Sequence, residues 1–173
     1  RSSDGIIFIS EYAKKIIVDD LNLKKKNIKI INHGISNKFN QKPKPQFKIE
    51  YYDKKNPFKL LYVSDILPYK NHYVLTNSFL SLNKDDFPIE LSIVGREIHR
   101  KSSADLNRLI NKSTNKGINW EKNIGLDNIY EFYHNADCFI FASSCENMPN
   151  ILIEAMSSGL PILCSDRGPM REF

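Results

Sequence analysis

The chain has 173 residues, of which 41% are hydrophobic and 26% are charged, and its formal net charge is +5. This length and composition suit one domain of ordinary size with an apolar core, and they exclude a disordered or fibrous chain. No apolar run approaches the roughly 20 residues of a membrane-spanning helix. We therefore expect no such helix, and we expect no secretory signal at the start.

Short apolar runs of strand length alternate along the chain with stretches of helical periodicity. The first part predicts a strand at 6–9, a helix at 11–23, a strand at 28–31 and a proline- and lysine-containing linker at 41–57. The rest predicts strands at 58–64, 89–95, near 118 or 124, at 137–142 and at 162–164, with helices near 71–82, 102–113 and 127–133 between them. Alternation of this kind predicts a parallel α/β sheet.

A glutamate follows one of the predicted strands. The run 137–142 is almost wholly apolar, as expected for a parallel strand that helices cover on both faces. Its carboxyl end leads within a few residues to Glu146. Because open parallel sheets bind ligands outside the carboxyl ends of their strands, Glu146 lies where a ligand is expected.

A helix start follows Glu146. Pro149 suits the first turn of a helix, because its φ is helical and its missing N–H would be unpaired there. The helix is therefore predicted to begin after Asn147 or Met148. Free N–H groups at a helix start bind anions, and Glu154 lies about one helical turn beyond Asn150, so a carboxylate flanks these groups on either side.

This arrangement has the chemistry of a nucleotide-sugar site. A diphosphate fits the free amides, and each carboxylate can accept two hydrogen bonds from neighbouring hydroxyls of a ribose or a sugar. Simpler explanations exist for each residue alone: Glu154 would offset the helix dipole, and Glu146 would be a solvated loop acid. The whole pattern, which continues through Gly159 and Pro161, is more specific than either glutamate.

Residues 145–161 resemble the signature of the retaining group 1 glycosyltransferases, which are nucleotide-sugar enzymes of the GT-B fold. Residues 4–11 are similar to the stretch that ends the N-terminal half of these enzymes, and residues 32–35 to the turn that enters the crossing between the halves. Residues 61–70 resemble the first strand and phosphate-contacting loop of the donor domain. The resemblance implies an α/β fold: a Rossmann-like parallel sheet with helices on both faces, the nucleotide-sugar-binding half of a GT-B enzyme.

The same resemblance divides the chain into three parts. Residues 1–36 would end the N-terminal, acceptor-binding half, residues 37–57 would link the halves, and residues 58–173 would form the nucleotide-sugar-binding domain. The chain opens without an initiator methionine and stops as a helix is predicted to begin. We therefore expect it to be part of a longer protein, with most of the acceptor half outside it.

The resemblance also implies roles for individual residues. Glu154 would bind the ribose hydroxyls, Glu146 the donor hexose near its reacting carbon, and Lys70 the diphosphate, with the amides of Met148 and Asn150 on the phosphates. Glu146 and Lys70 are thus the catalytic candidates. The other candidate donor-binding residues are Asn147, Pro149 and Asp65, together with Gly95, Arg96 and Gly125 near the base.

One position departs from the family pattern. The family has an arginine and then a lysine five residues on, whereas this chain has Asp65 and Lys70. A carboxylate facing a diphosphate repels it. Either Asp65 turns outward, or Arg96 or Arg167 supplies the missing charge, and the sequence leaves these alternatives open.

The function implied by the resemblance is transfer of a sugar from a nucleoside diphosphate sugar to an acceptor hydroxyl with retention of configuration. The acceptor would be a glycan or a lipid-linked glycan, in surface glycan or glycolipid synthesis.

The sequence shows no paired histidine spacing for a metal and no Asp-x-Asp, so we expect no cofactor besides the donor substrate. The alternative is a degenerate module that binds nucleotide or a partner without catalysis. A second alternative, a nicotinamide-dependent Rossmann protein, would need G-x-G-x-x-G after its first strand, and no two glycines form G-x-G.

Charge and cysteine content bear on partners and location. Residues 1–59 carry 14 Lys and Arg against 6 Asp and Glu, while residues 60–173 carry 11 against 14. The lysines at 24–26, 42, 44, 54 and 55 form either a solvated surface or a basic face for anionic lipid. Nucleic acid is not expected, because no nucleic-acid module is recognisable.

The cysteines bear on location. Their count of three is odd, and Cys138 and Cys164 lie in predicted core strands. This pattern indicates buried thiols in a reducing compartment. We therefore expect a cytoplasmic protein, either free or at the inner face of the membrane.

Overall fold

The computed structural model describes residues 3–23, 27–45, 47–82, 87–113, 117–125 and 127–173. Its strands are β1 (Gly5–Phe8), β2 (Asn27–Ile30), β3 (Phe58–Val63), β4 (Ile89–Val94), β5 (Ile118–Glu121), β6 (Cys138–Phe141) and β7 (Ile162–Cys164). Its helices are α1 (Glu11–Asp20), α2 (His72–Leu80), α3 (Arg100–Lys112), α4 (Ile129–Asn135) and α5 (Asn150–Ser157). Among the described residues, no helix has the length and apolar character needed to cross a bilayer.

The described strands form two parallel sheets. β1 and β2 pair with each other, and the larger sheet has the order β5-β4-β3-β6-β7. The chain therefore runs outward from β3 through β4 to β5 and then crosses to β6 on the other side of β3. The carboxyl ends of β3 and β6 lie at this reversal, which is where open parallel sheets form a ligand crevice.

Two buried clusters cover the two faces of the larger sheet. On one face, β3 and β6 pack against α4 and α5 through Leu61, Val63, Phe139, Phe141, Tyr133, Leu152 and Ala155. On the other face, β3 and β4 pack against α2 and α3 through Leu60, Leu91, Ile93, Phe79 and Leu106. Strands buried on both faces read as continuous apolar runs, as the sequence showed for β3 and β6. The predicted parallel sheet with helices on both faces is confirmed.

Two local expectations were wrong. Helix α5 begins at Asn150, because Pro149 has an extended ψ of 105° and serves as the N-cap residue. Its carbonyl accepts hydrogen bonds from the N–H groups of Leu152 and Ile153, at 3.0 and 3.4 Å. Cys164 is exposed instead of buried, because β7 lies at an edge of the described sheet and pairs only with β6 there.

The first two strands and α1 lie in a unit of their own at the start of the chain. β1 pairs with β2 in register from Gly5 to Phe8, and α1 connects them. Ser10 caps α1, since its hydroxyl accepts a hydrogen bond from the N–H of Ala13 at 3.1 Å. That this unit ends an acceptor-binding half, and that the predicted boundaries at 36 and 57 separate domains, stay predictions.

Candidate functional site

Two adjoining clefts open at the carboxyl ends of β3, β4 and β6. The Gly125 cleft has a volume of about 430 Å³, and its lining includes Gly95, Arg96, Lys122, Gly125 and Ile129. The Lys70 cleft has a volume of about 360 Å³, and its lining includes His33, Tyr69, Lys70, Glu146, Met148 and Asn150. Ser64, Asp65 and Ile151 line both clefts, so the two form one continuous groove.

Most of the predicted site residues lie along this groove. Those in the Lys70 cleft are Lys70, Glu146, Met148, Pro149 and Asn150. Those in the Gly125 cleft are Gly95, Arg96 and Gly125. Asp65 borders both clefts, whereas Asn147 and Glu154 line neither of them. Residues far apart in sequence are thus brought together from three strand ends.

Hydrogen bonds join the loop after β3 to the loop after β6. The buried Tyr62 donates its hydroxyl proton to the carbonyl of Lys70 at 2.7 Å. The Asn71 side chain donates to the carbonyl of Ala142 at 2.8 Å, from a left-handed backbone with φ of 57°. The N–H of Ser144 donates to the carbonyl of Tyr69 at 2.9 Å. These contacts set the backbone from which Lys70 and Glu146 project into the same cleft.

Lys70 and Glu146 form an ion pair with each other. Their side chains are only 12% and 11% exposed. The ammonium nitrogen of Lys70 also lies 5.4 Å from the ring centroid of Tyr69 and 5.8 Å from that of Phe141. Aromatic faces attract a cation, so Lys70 is held between two rings and a carboxylate beyond the carboxyl ends of β3 and β6.

Asp65 is engaged by Arg96 from the loop after β4. The guanidinium donates to both carboxylate oxygens, from Nε at 3.0 Å and from Nη2 at 2.6 Å. The backbone N–H of Arg96 donates to the same carboxylate at 3.1 Å. These bonds hold the pKa of Asp65 below its ordinary value. The structure thus balances the charge of Asp65 with Arg96. That Asp65 turns outward, or that Arg96 or Arg167 supplies the charge that a diphosphate needs, stay alternative predictions.

Helix α5 presents its N-terminus to the Lys70 cleft. Among the described residues, the structure gives no acceptor for the backbone N–H groups of Asn150 and Ile151, as is usual for a first helical turn. Both residues line the cleft. The side chain of Met148 packs against the loop after β2, where its sulfur accepts a hydrogen bond from the N–H of His33 at 3.4 Å. The N-terminus of α5 thus offers donors to an anion in this cleft.

Asn147 contacts the first part of the chain. Its side-chain oxygen accepts a hydrogen bond at 2.6 Å from the hydroxyl of Ser10, the residue that caps α1. Asn147 therefore joins the loop that carries Glu146 to the start of α1. Its predicted contact with a donor stays a prediction, and this side chain already has a partner elsewhere.

Glu154 lies one turn inside α5 and contacts a tyrosine of α4. Its carboxylate accepts a hydrogen bond at 2.7 Å from the hydroxyl of Tyr133, whose ring is fully buried. Burial raises the pKa of Glu154 above its ordinary value, and it raises the pKa of Tyr133 well above its own. Ile151, on the preceding turn of the helix, lines both clefts. The predicted contact of Glu154 with ribose hydroxyls stays a prediction.

The lining residues that the sequence reasoning missed include His33, Tyr69 and Lys122. Lys122 follows β5, and its ammonium lies 4.3 Å from the ring centroid of Trp120. Trp120 in turn donates its indole N–H to the carbonyl of Gly95 at 2.9 Å. Lys122 becomes recognisable once β5 is known to lie beside β4, because the carboxyl ends of parallel neighbours meet at one edge.

Gly95 allows two strand ends to approach each other closely. A Cβ atom at this position would lie 1.9 Å from the carbonyl oxygen of Ser64. At Gly125, on the other side of the same cleft, a Cβ atom would meet nothing within 4 Å. The requirement for glycine at position 95 is therefore structural, and its close neighbour Ser64 lines both clefts.

The sequence profile of the family described as glycosyl transferases group 1 matches residues 44–173. The chain belongs to this family. It is 28% identical to an uncharacterised glycosyltransferase from Methanocaldococcus jannaschii, and the match covers 96% of this chain and 40% of that protein. The chain thus spans about two fifths of the length of that relative.

Solved structures show where this group 1 glycosyltransferase chain belongs among known folds. A glycosyltransferase from Rickettsia africae ESF-5 matches with a TM-score of 0.80 and 20% identity, over 98% of this chain and 46% of that one. The Anabaena protein HepE, in complex with UDP and glucose, matches with a TM-score of 0.77 and 16% identity, over 98% and 46%. The chain thus spans less than half the length of these proteins, and it has the Rossmann-like fold of GT-B glycosyltransferase domains.

Proposed function

We propose that this group 1 glycosyltransferase binds a nucleoside diphosphate sugar along the groove formed by the Gly125 and Lys70 clefts. The observation that carries the proposal is the continuity of the two clefts, with a lysine, a carboxylate and free helix amides at one end. Solved structures of HepE with UDP and with UDP-glucose are compatible with this use of the fold.

Each part of the donor has a place in the proposed complex. The base lies in the Gly125 cleft, which Gly95 and Gly125 line and where a Cβ atom at Gly125 would meet nothing within 4 Å. The diphosphate contacts Lys70 and the amides of α5, and the sugar contacts Glu146. Glu154 contacts the ribose from the next turn of α5, which requires its carboxylate to accept from both Tyr133 and the ribose.

In the proposed reaction, the sugar leaves the diphosphate and joins an acceptor hydroxyl with retention of configuration. Negative charge develops on the leaving diphosphate, and fixed donors that meet this charge are often the largest catalytic contribution. Lys70 and the amides of Asn150 and Ile151 supply these donors. Glu146 orients the sugar, whose hydroxyls donate hydrogen bonds to its carboxylate, and does not attack it.

The proposed partners extend beyond the donor. The acceptor is a glycan or lipid-linked glycan that the rest of the protein binds, and the whole protein acts in the cytoplasm in surface glycan or glycolipid synthesis. A surface of the chain supports membrane contact: Phe47, Ile49 and Tyr51 are 52%, 62% and 64% exposed. Residues 41–59 around them carry six lysines against two acids. Apolar side chains within a basic surface suit an anionic membrane.

The competing candidate is a degenerate module that binds nucleotide without catalysis. Asp65 stands where these enzymes have an arginine, and its pair with Arg96 uses charge that a diphosphate would otherwise meet. The two candidates differ in one result: sugar transfer by the whole protein excludes the degenerate module.

Titration calorimetry with UDP, GDP and ADP tests the donor site. We expect one of the three diphosphates to bind, and Lys70→Ala to weaken that binding about tenfold or more, because it removes the cation that faces the diphosphate. Lys112→Ala is the matched control, since Lys112 is an exposed lysine that lines neither cleft. Equal losses in the two variants, or no binding by the native chain, would contradict the proposal.

Fluorescence gives an independent readout of the same event. Trp120 is the single tryptophan of the chain. Its indole contacts the carbonyl of Gly95 and the ammonium of Lys122, and both residues line the Gly125 cleft. A base bound there should change the emission of Trp120 with the same dissociation constant as calorimetry reports. Binding without any change in emission would place the base elsewhere.

A further inference from the structure

The two residues proposed to receive the donor are bound to each other in this structure. Lys70, proposed to contact the diphosphate, and Glu146, proposed to contact the sugar, form an ion pair whose members are 12% and 11% exposed. Each of them therefore has to change partner when a donor binds. Binding of the diphosphate by Lys70 and binding of the sugar by Glu146 are then linked, because both require the same ion pair to separate.

Because the ion pair is buried, separating it is costly when only one of its two members finds a new partner. Removing one partner of a buried ion pair leaves the other charge without compensation in a poorly hydrated place, which is strongly unfavourable. A free nucleoside diphosphate attracts Lys70 and leaves Glu146 in this condition. A nucleoside diphosphate sugar does not, because sugar hydroxyls donate hydrogen bonds to the carboxylate as Lys70 leaves it.

Among the described residues, neither Lys70 nor Glu146 forms a second ion pair. Asp65 accepts three hydrogen bonds from Arg96, so its carboxylate is already satisfied. Glu154 accepts from Tyr133 and lines neither cleft. The rings of Tyr69 and Phe141 keep the ammonium of Lys70 close to the cleft, at 5.4 and 5.8 Å from their centroids.

We infer that the Lys70–Glu146 ion pair makes the site select an intact nucleoside diphosphate sugar over the free nucleoside diphosphate. The inference rests on the proposed function and adds a specificity device to it. Glu146 opposes the binding of a diphosphate that brings no sugar, by holding the lysine that the diphosphate needs. After the sugar has been transferred, the same competition favours release of the nucleoside diphosphate product.

The test compares two ligands on the native chain and on Glu146→Gln, which keeps the shape of the side chain and removes its charge. The ligands are the diphosphate that calorimetry selects and the corresponding diphosphate sugar. The native chain should bind the sugar nucleotide more tightly. Glu146→Gln should bind the free diphosphate about tenfold more tightly than the native chain does, because Lys70 is released. The ratio of the two affinities should fall towards one.

Asp65→Asn is the matched control. It also removes one carboxylate charge from the groove, so a general relief of anion repulsion would tighten both ligands equally in either variant. The inference requires the affinity ratio to change in Glu146→Gln and to stay the same in Asp65→Asn. Glu146→Ala, checked for folding by its thermal unfolding, repeats the measurement with a second side chain.

Two results would overturn the inference. The first is a free diphosphate that binds the folded Glu146 variants no more tightly than the native chain. The second is an affinity ratio that changes equally in the Asp65 and Glu146 variants. If the native chain binds neither ligand, the proposed function itself fails, and the inference fails with it. If the native chain binds both ligands but the ratio of their affinities does not change as expected, the proposed donor site is supported and the proposed selection by the Lys70–Glu146 ion pair is contradicted.

Discussion

The charged side chains of the groove are balanced in pairs. Lys70 meets Glu146, Arg96 meets Asp65, and Lys122 meets Glu97 outside the lining at 3.0 Å. Glu154 differs from these acids, because its partner is the neutral hydroxyl of Tyr133. A partly buried carboxylate with no cation beside it is unfavourable in its charged form. The raised pKa of Glu154 expresses that cost.

This cost predicts a pH-dependent stability. Between the ordinary carboxyl pKa and the raised pKa of Glu154, the native state binds this proton more tightly than the unfolded chain does. The free energy of unfolding should therefore fall as the pH rises through that interval. Glu154→Gln keeps an acceptor for Tyr133 and has no charge, so this part of the fall should disappear. Urea unfolding of both proteins between acid and neutral pH measures the difference.

Glu154→Ala is the companion variant. It removes the acceptor at 2.7 Å and leaves the buried hydroxyl of Tyr133 with the carbonyl of Ile151, at 3.4 Å, as its acceptor. The loss of the shorter hydrogen bond should cost about 1 kcal/mol relative to Glu154→Gln. If the carboxylate also binds the donor ribose, both variants should bind the selected diphosphate more weakly. Parallel pH profiles for the native protein and Glu154→Gln would show that this carboxyl has the same pKa in the folded and unfolded states.

Among the strands, close approach of the ends of β3 and β4 determines the shape of the groove. An added methyl group at Gly95 would overlap the carbonyl oxygen of Ser64, whereas one at Gly125 would meet open space. Gly95→Ala should therefore lower the free energy of unfolding by about 2 kcal/mol or more, because backbone must move to admit it. Gly125→Ala should change it by less than about 1 kcal/mol. Thermal or urea unfolding of the two variants measures both values.

The pair is informative because both glycines line the same cleft. A loss of both stability and nucleotide affinity in Gly95→Ala, with neither loss in Gly125→Ala, would show that the shape of the cleft depends on the strand ends. Equal destabilisation of the two variants would be inconsistent with the close contact at Ser64.

The elements themselves were largely predictable, whereas the pairs between them were not. Strands β3 and β6 are apolar runs, and α3 has helical periodicity, so local pattern was sufficient to find them. The start of α5 was misjudged, because proline suits the N-cap position as well as the first turn and local sequence does not distinguish the two here. Asp65 and Arg96 are 31 residues apart, and Lys70 and Glu146 are 76 apart. Such pairs depend on which strands become neighbours, and that order is not written in any local pattern.

At the scale of the whole molecule, the first unit of the chain is tied to the groove. The hydroxyl of Ser10 donates to Asn147, in the loop that carries Glu146. At the other end of the chain, the carboxylate of Glu172 accepts hydrogen bonds from the N–H groups of Glu11 and Tyr12, at 2.7 and 2.9 Å. A carboxylate at the first turn of α1 is favourable, because it meets the positive end of the helix dipole. The position of α1 is thereby set by residues on both sides of α5.

The exposed side chains of Phe47, Ile49 and Tyr51 predict a second property of the whole molecule. The rings of Phe47 and Tyr51 lie 5.5 Å apart, so they form one apolar surface. Lysines at 42, 48, 54 and 55 are exposed in the same segment. Attraction of lysines to anionic headgroups falls with salt, and insertion of apolar side chains does not, so both contributions can be measured separately. We expect the chain to bind vesicles that contain phosphatidylglycerol more tightly than vesicles of phosphatidylcholine alone.

Replacing Phe47, Ile49 and Tyr51 by serine should weaken vesicle binding about tenfold or more at high salt, where the apolar contribution remains. The matched control replaces Tyr73 and Val74 of α2, which are 50% and 61% exposed outside this segment. Because none of these five side chains lines the groove among the described residues, binding of the selected diphosphate should be unchanged in both variants. Equal vesicle binding by the two variants would exclude the segment as a membrane surface. If the serine variant lost diphosphate binding together with vesicle binding, its fold as a whole would be damaged.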